Sequence, residues 1–171
     1  MSKLLNILFA MFIMSPVWPL GTNPMPGDPF IIINKQNNEL AFVNQNHIQG
    51  IYAVATGKSD EDTPEGLFTV TFKVKQPSYT KLNIPGGDPK NPLGTRWIGF
   101  DAKDTNGRVY GIHGTNDPTS IGKYISSGCV RMNNEDVERL FNKIPLGTKV
   151  LIVRSEKSFL ELAKEYNALS Q

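Results

Sequence analysis

From Phe30 onward the apolar residues come in short bursts separated by turn-forming residues, a pattern that predicts strands rather than long helices. Phe30 to Asn34 (FIIIN) is a β-branched run, Asn37-Asn38 supplies a turn, and Glu39 to Val43 is apolar again. Two strands joined by a tight turn are expected there. A second turn at Asn44 to Asn46 leads into His47 to Thr56 (HIQGIYAVAT), where Ile48, Tyr52 and Val54 suit a largely buried strand that Gly57 ends. Thr63-Pro64-Glu65-Gly66 is a turn before Leu67 to Lys75, in which Phe68, Val70, Phe72 and Val74 form the expected buried face. Gln76 to Thr95 holds four Pro and three Gly without a period. It reads as a long loop, expected to flank the functional site.

Arg96 to Asp101 and Val109 to His113 read as strands around the turn Asp104 to Gly107. A short helix is expected from Asp117, with Pro118 in its first position. Asn133 or Asn134 caps a clearer one, whose stripe is Val137, Leu140 and Phe141. Lys149 to Val153 is a closing strand, and Phe159, Leu162, Ala163, Tyr166 and Leu169 fall at helical spacing in an amphipathic terminal helix. The body is therefore expected to be mainly β with one to three short helices. The irregular order of elements argues against a parallel nucleotide-binding sheet, and no Gly-rich phosphate loop occurs.

The first residues change the expected compartment. Leu4 to Met14 is apolar, follows the single cation Lys3 and stops at Ser15-Pro16, which is the shape of a signal peptide and too short to span a bilayer. Residues 1–27 are expected to be a signal peptide or hydrophobic segment plus linker, residues 28–153 the body and residues 154–171 the terminal helix. Export follows, with membrane contact only through an uncleaved N-terminal segment. Across 171 residues, Lys plus Arg at 18 against Asp plus Glu at 16 leaves a formal charge of +2, too little to suggest a nucleic-acid partner.

The single cysteine, Cys129, excludes an intramolecular disulfide and a multi-thiolate metal site. Burial or reactivity remains for that thiol. It lies in a Ser-Ser-Gly-Cys turn, downstream of His113 at the end of a predicted strand. An imidazole can take the proton of a thiol whose ordinary pKa is about 8.5. Gly128 lets the backbone turn tightly and converge N–H groups on one point, as an oxyanion needs. A lone Cys is otherwise a small buried hydrophobe, and an exported protein has little use for an unpaired structural thiol.

His113-Gly114-Thr115, then Ser126-Ser127-Gly128-Cys129-Val130-Arg131-Met132, followed by Asn134-Glu135-Asp136-Val137, resembles the catalytic signature of the L,D-transpeptidases with a YkuD-type domain, without an obvious LysM module. Thr63 to Phe68, Asn91 to Gly94 and Trp97 to Gly99 resemble further family segments, so the likeness runs from about Phe30 to Val153. The resemblance implies an open β-barrel or sandwich and a cofactor-free, monomeric peptidyl transferase. Its partners would be peptidoglycan stem peptides, a donor tetrapeptide and an acceptor amine.

By similarity, Cys129 is the nucleophile and His113 the base, oriented by a backbone carbonyl near Gly114. Ser126, Ser127 and Gly128 orient the turn or supply oxyanion donors, the N–H groups of Ser127, Gly128 and Cys129 being candidates. Arg131 is a candidate for holding the substrate's terminal carboxylate. Ser127 departs from the His that many members carry before the Gly-Cys pair. Two rival readings keep the same residues: an L,D-carboxypeptidase, in which water is the acceptor, or a D-amino-acid exchange enzyme, and a silent wall-binding module with a structural Cys129. His47 is read as a surface histidine, and Asp101, Asp104 and Asp117 as turn and cap residues. Trp97, Tyr110 and Tyr124 are candidates for lining a substrate groove, with core or rim packing as the alternative.

Overall fold

A computed structural model describes residues 24–59 and 62–170. The apolar bursts fold into strands: β1 (Phe30–Asn34), β2 (Glu39–Asn44), β3 (His47–Ala53), β4 (Thr56–Gly57), β5 (Gly66–Lys75), β6 (Arg96–Phe100), β7 (Tyr110–His113), β8 (Tyr124–Ser126), β9 (Val130–Arg131) and β10 (Lys149–Val153). The helices are α1 (Asn134–Lys143) and α2 (Phe159–Glu165). One eight-stranded sheet runs β3-β2-β1-β10-β5-β6-β7-β9, and β4 and β8 make a short parallel pair. Neighbours are antiparallel except β1 with β10 and β7 with β9.

The sheet curls into a half-barrel. Ile31, Leu40 and Phe42 from one end share a buried cluster with Ile98, Ile112 and Val130 from the other, which a flat sheet would keep apart. Ala55, just beyond β3, bridges to Arg131 of β9 and draws the two ends together. Helix α1 fills the curl with Val137, Leu140 and Phe141, the stripe read from the sequence. The outer face of β1, β2 and β10 offers Phe30, Ile32, Ala41, Val43 and Leu151, and α2 covers it with Phe159, Leu162 and Ala163. Strands buried on both faces need continuous apolar runs, which is why β1 reads FIIIN without alternation.

Two expectations about burial change. Strand β3 is an alternating half-buried and exposed edge strand, because it has a neighbour on one side only, whereas Val54 just beyond it is fully buried. Strand β5 carries a bulge between Val70 and Phe72. Phe68 and Val70 face the core, but beyond the bulge it is Lys73 that turns toward α1, its ammonium 4.2 Å from the Phe141 ring. Phe72 and Val74 therefore pass to the opposite face and line a cleft.

At the ends of the chain, the Pro-rich stretch is tied to the C-terminus: Gly27 N–H donates to the Ala168 carbonyl and Asn167 Nδ2 to the Pro24 carbonyl. Ser158 and Glu161 form a capping box that starts α2. The short helix expected at Asp117 is a 3-10 turn, Pro118–Ser120, with the Asp117 carboxylate accepting from Thr119 N–H. No helix among the described residues is long and apolar enough to cross a membrane. The signal-peptide reading, on Leu4 to Met14, lies outside the described residues.

Candidate active site

Pairing of β7 with β9 brings the candidate residues together. Ile112 sits opposite Val130 and His113 opposite Arg131, which sets Cys129 beside Gly111. Ile112 and Val130 point into the core. Strand alternation then puts Cys129 and His113 on the other face, that of Trp97. The His113 ring stacks on the Trp97 indole with centroids 5.5 Å apart and planes at 11°. Trp97 and Cys129 both line a cleft of about 590 Å³. Its floor is Phe72 and Val74, and its far wall is Pro77 to Lys81 and Leu93 from the long loop. That loop is ordered from within by Asn91, only 1% exposed, whose side-chain amide donates to the Pro77 and Pro85 carbonyls.

The ring of His113 has one available hydrogen-bonding arrangement. Nδ1 lies 2.6 Å from the Gly114 carbonyl oxygen, which only accepts, so Nδ1 carries the proton and Nε2 a lone pair. Burial pushes the His113 pKa down to about 4; the Gly114 carbonyl opposes this shift and the positive charge of Arg131 adds to it. Burial likewise raises the pKa of the Cys129 thiol, against a backbone hydrogen bond from Gly111 and the charges of Lys81 and Arg131. Both shifts favour uncharged forms. The thiol and the imidazole are thus both favoured in their neutral forms. The thiol meanwhile rests 3.5 Å from the Val109 carbonyl.

The turn that carries Cys129 is held internally. Ser126 Oγ donates to the Cys129 carbonyl at 2.5 Å and accepts from Gly128 N–H at 3.1 Å. Gly128 has φ of 125°, and a Cβ there would come within 2.6 Å of the Asp62 carbonyl, so only glycine fits against the Thr63-Pro64 turn. That turn is itself pinned: the buried Lys35 ammonium donates to the Thr63 carbonyl and pairs with Glu65, both at 3.0 Å.

The family model of the YkuD L,D-transpeptidase catalytic domain matches residues 28–152. The chain belongs to that family. It is 58% identical over 163 residues to "Putative L,D-transpeptidase YqjB" of Bacillus subtilis strain 168, covering 95% of this chain and 93% of that one. Among solved structures, the catalytic domain of the Enterococcus faecium L,D-transpeptidase acylated by ertapenem has a TM-score of 0.55 at 22% identity, covering 74% of this chain and 97% of that one. L,D-transpeptidase 3 of Mycobacterium tuberculosis, in complex with a faropenem-derived adduct, has a TM-score of 0.60 at 17% identity, covering 75% of this chain and 61% of that one. This chain thus spans 61% of that solved chain, and 50% of the Ldtfm-avibactam carbamoyl enzyme. These likenesses show the fold.

The candidate oxyanion donors differ in the partners they already have. The Gly128 N–H, expected as an oxyanion donor, is occupied by Ser126 Oγ, whereas the N–H groups of Ser127 and Cys129 donate to no protein group among the described residues. Ser126 is an internal tie of the turn and Ser127 is exposed. The Arg131 guanidinium has no hydrogen bond or ion pair among the described residues, although its backbone is fixed by two bonds to Ala55 of 2.9 Å each. Of the three candidate groove aromatics, only Trp97 lines the cleft; Tyr110 packs on the core and Tyr124 donates to the Lys35 carbonyl. His47 is exposed at the start of β3. No group of three or more His, Cys, Asp or Glu suited to a metal occurs among the described residues.

Asn134, expected as one of two candidate helix caps and as part of the family signature, is the first residue of α1 and ties two other segments together. Its Oδ1 accepts from Thr95 N–H and Thr115 N–H, and its Nδ2 donates to the Thr115 carbonyl. A Cβ on Gly94 or Gly114 would fall 2.2 Å or 2.0 Å from that Oδ1, so both glycines leave room for it. Asn134 thereby pins the segment that includes Gly114, whose carbonyl orients His113. Its place beside His113-Gly114-Thr115 in the family signature is the one signal that was available.

Proposed function

We propose that this chain is an exported, monomeric cysteine L,D-transpeptidase that forms 3→3 cross-links between peptidoglycan stems, with residues 28–153 as its catalytic unit. The observation that carries the reading is the His113 ring, fixed by Nδ1–H to the Gly114 carbonyl and presenting a lone pair on the face that holds the chain's single thiol. Cys129 gives its proton to His113 Nε2 as sulfur attacks the carbonyl carbon between the third residue and the terminal D-alanine. The N–H groups of Cys129 and Ser127 receive the oxyanion. The C–N bond then breaks, D-alanine leaves with the proton returned by His113, and a thioester remains. An amine on the side chain of a neighbouring stem's third residue attacks the thioester, gives its proton to His113, and expels the thiolate, which is reprotonated.

Arg131, whose guanidinium has no hydrogen bond or ion pair among the described residues, holds the terminal carboxylate of the donor as a two-pronged donor. Water in place of the acceptor amine would give an L,D-carboxypeptidase. Muropeptide tetrapeptide incubated with the wild type and with Cys129→Ala, followed by mass spectrometry, tests the reading. D-alanine release and an acylated protein are expected from the wild type alone. Turnover by Cys129→Ala would refute the mechanism, and tripeptide without dimers in the presence of acceptor would assign hydrolysis instead.

A further inference from the structure

Among the described residues, the charged groups that line the cleft beside Cys129 are of one sign: Lys81 from the long loop and Arg108 from the turn before β7, with no acidic residue beside them. With a formal charge of only +2 on the whole chain, this is a local asymmetry rather than a general one. Neither cation is neutralised among the described residues: Lys81 has no ion pair or hydrogen bond, and the Arg108 guanidinium lies 4.1 Å above the Phe72 ring without a carboxylate partner. The ring contact fixes the arginine fork over the cleft floor at small entropic cost. Lys81 is close enough for its charge to act on the Cys129 thiol.

Position along the strand separates these cations from Arg131. In the β7–β9 register Arg131 stands beside His113, past Cys129, whereas Arg108 and Val109 precede Gly111. The thiol thus lies between two cationic regions. Arg131 stands on one side of it, and Lys81 with Arg108 on the other. A concave, partly apolar site lined by unpaired cations concentrates positive potential where a substrate anion would sit.

We propose that Lys81 and Arg108 together hold a second carboxylate on the acyl side of the donor. The enzyme then selects stems whose third residue carries a free side-chain carboxylate over stems in which that group is a primary amide. This rests on the transpeptidase reading above and names the donor class for the same site. An amide offers no charge to either cation, and charge-assisted hydrogen bonds are about twice as strong as neutral ones.

The test uses two synthetic tetrapeptides that differ only in that carboxylate or carboxamide, with Kd measured by calorimetry on Cys129→Ala, which does not need to turn them over. The free acid is expected to bind at least about tenfold more tightly, a difference that the further substitutions Lys81→Gln and Arg108→Gln reduce to about twofold or less. Both side chains are exposed, and circular dichroism checks that the fold is kept. Equal affinities in the starting protein, or a preference that survives both substitutions, would overturn the proposal. Release of D-alanine by the wild type is assayed separately, so failure of the transpeptidase reading is recorded independently of the binding result.

Discussion

His113 shows how burial and one backbone carbonyl set the chemistry of a residue. Its pKa of about 4, against 6.5 for an ordinary histidine, keeps the imidazole neutral and proton-accepting through the whole physiological range. The acid limb of kcat/KM is therefore expected near pH 4, and a midpoint near 6.5 in a pH–rate profile would contradict the buried, neutral ring. Stability should follow the same group. Between pH 6.5 and 4 the unfolded chain takes up a proton that folded His113 refuses, so stability falls as pH drops through that window and loses nothing more to this group below it. The full effect is about 3 kcal/mol, measurable by denaturant titration at several pH values and absent from His113→Gln.

Among the elements, the turns matter as much as the strands. The Thr63-Pro64-Glu65-Gly66 turn lies against Gly128, and the buried Lys35 ammonium, at the end of β1, is what holds it. Lys35→Met keeps most of the side-chain volume but leaves the buried Thr63 carbonyl without its donor. It is expected to cost about 1–3 kcal/mol and lower Tm by several degrees in a thermal melt. An unchanged Tm would mean that the turn stands without the lysine. Alternation in β5 was legible from the chain, but the bulge between Val70 and Phe72 was not. A bulge depends on the partner strand β6, so no pattern within Leu67 to Lys75 announces that Phe72 and Val74 leave the core for the cleft.

For the whole molecule, the curl of the sheet creates two cores, one inside around α1 and one outside under α2. The outer core makes α2 a structural part of the fold. Leu162, 3% exposed, is expected to cost about 2–4 kcal/mol when replaced by alanine. On the same helix Leu160, 50% exposed, should change stability by no more than about 0.5 kcal/mol. Urea unfolding of the two variants gives the comparison, and equal effects would mean that α2 does not cover the sheet as described.

The chain by itself determined the longer strands, though not the short β4, β8 and β9, together with the apolar stripes of both helices and the pairing in one signature of the thiol with the histidine, because these depend on local period and on the order of residues. It also determined that Cys129 has no disulfide partner in its own chain, by count alone. Only the tertiary structure decided the rest. The His113 tautomer requires the Gly114 carbonyl at 2.6 Å, and the bond that Gly128 N–H makes requires the Ser126 hydroxyl folded back upon it. Asn134 acts on Thr95 and Thr115, far apart in sequence, and Lys81, Arg108 and Arg131 surround one thiol only once β5, β6, β7 and β9 lie side by side. Periodicity fixes which face a residue occupies within its element, whereas contacts between distant segments exist only after the sheet has closed around its core.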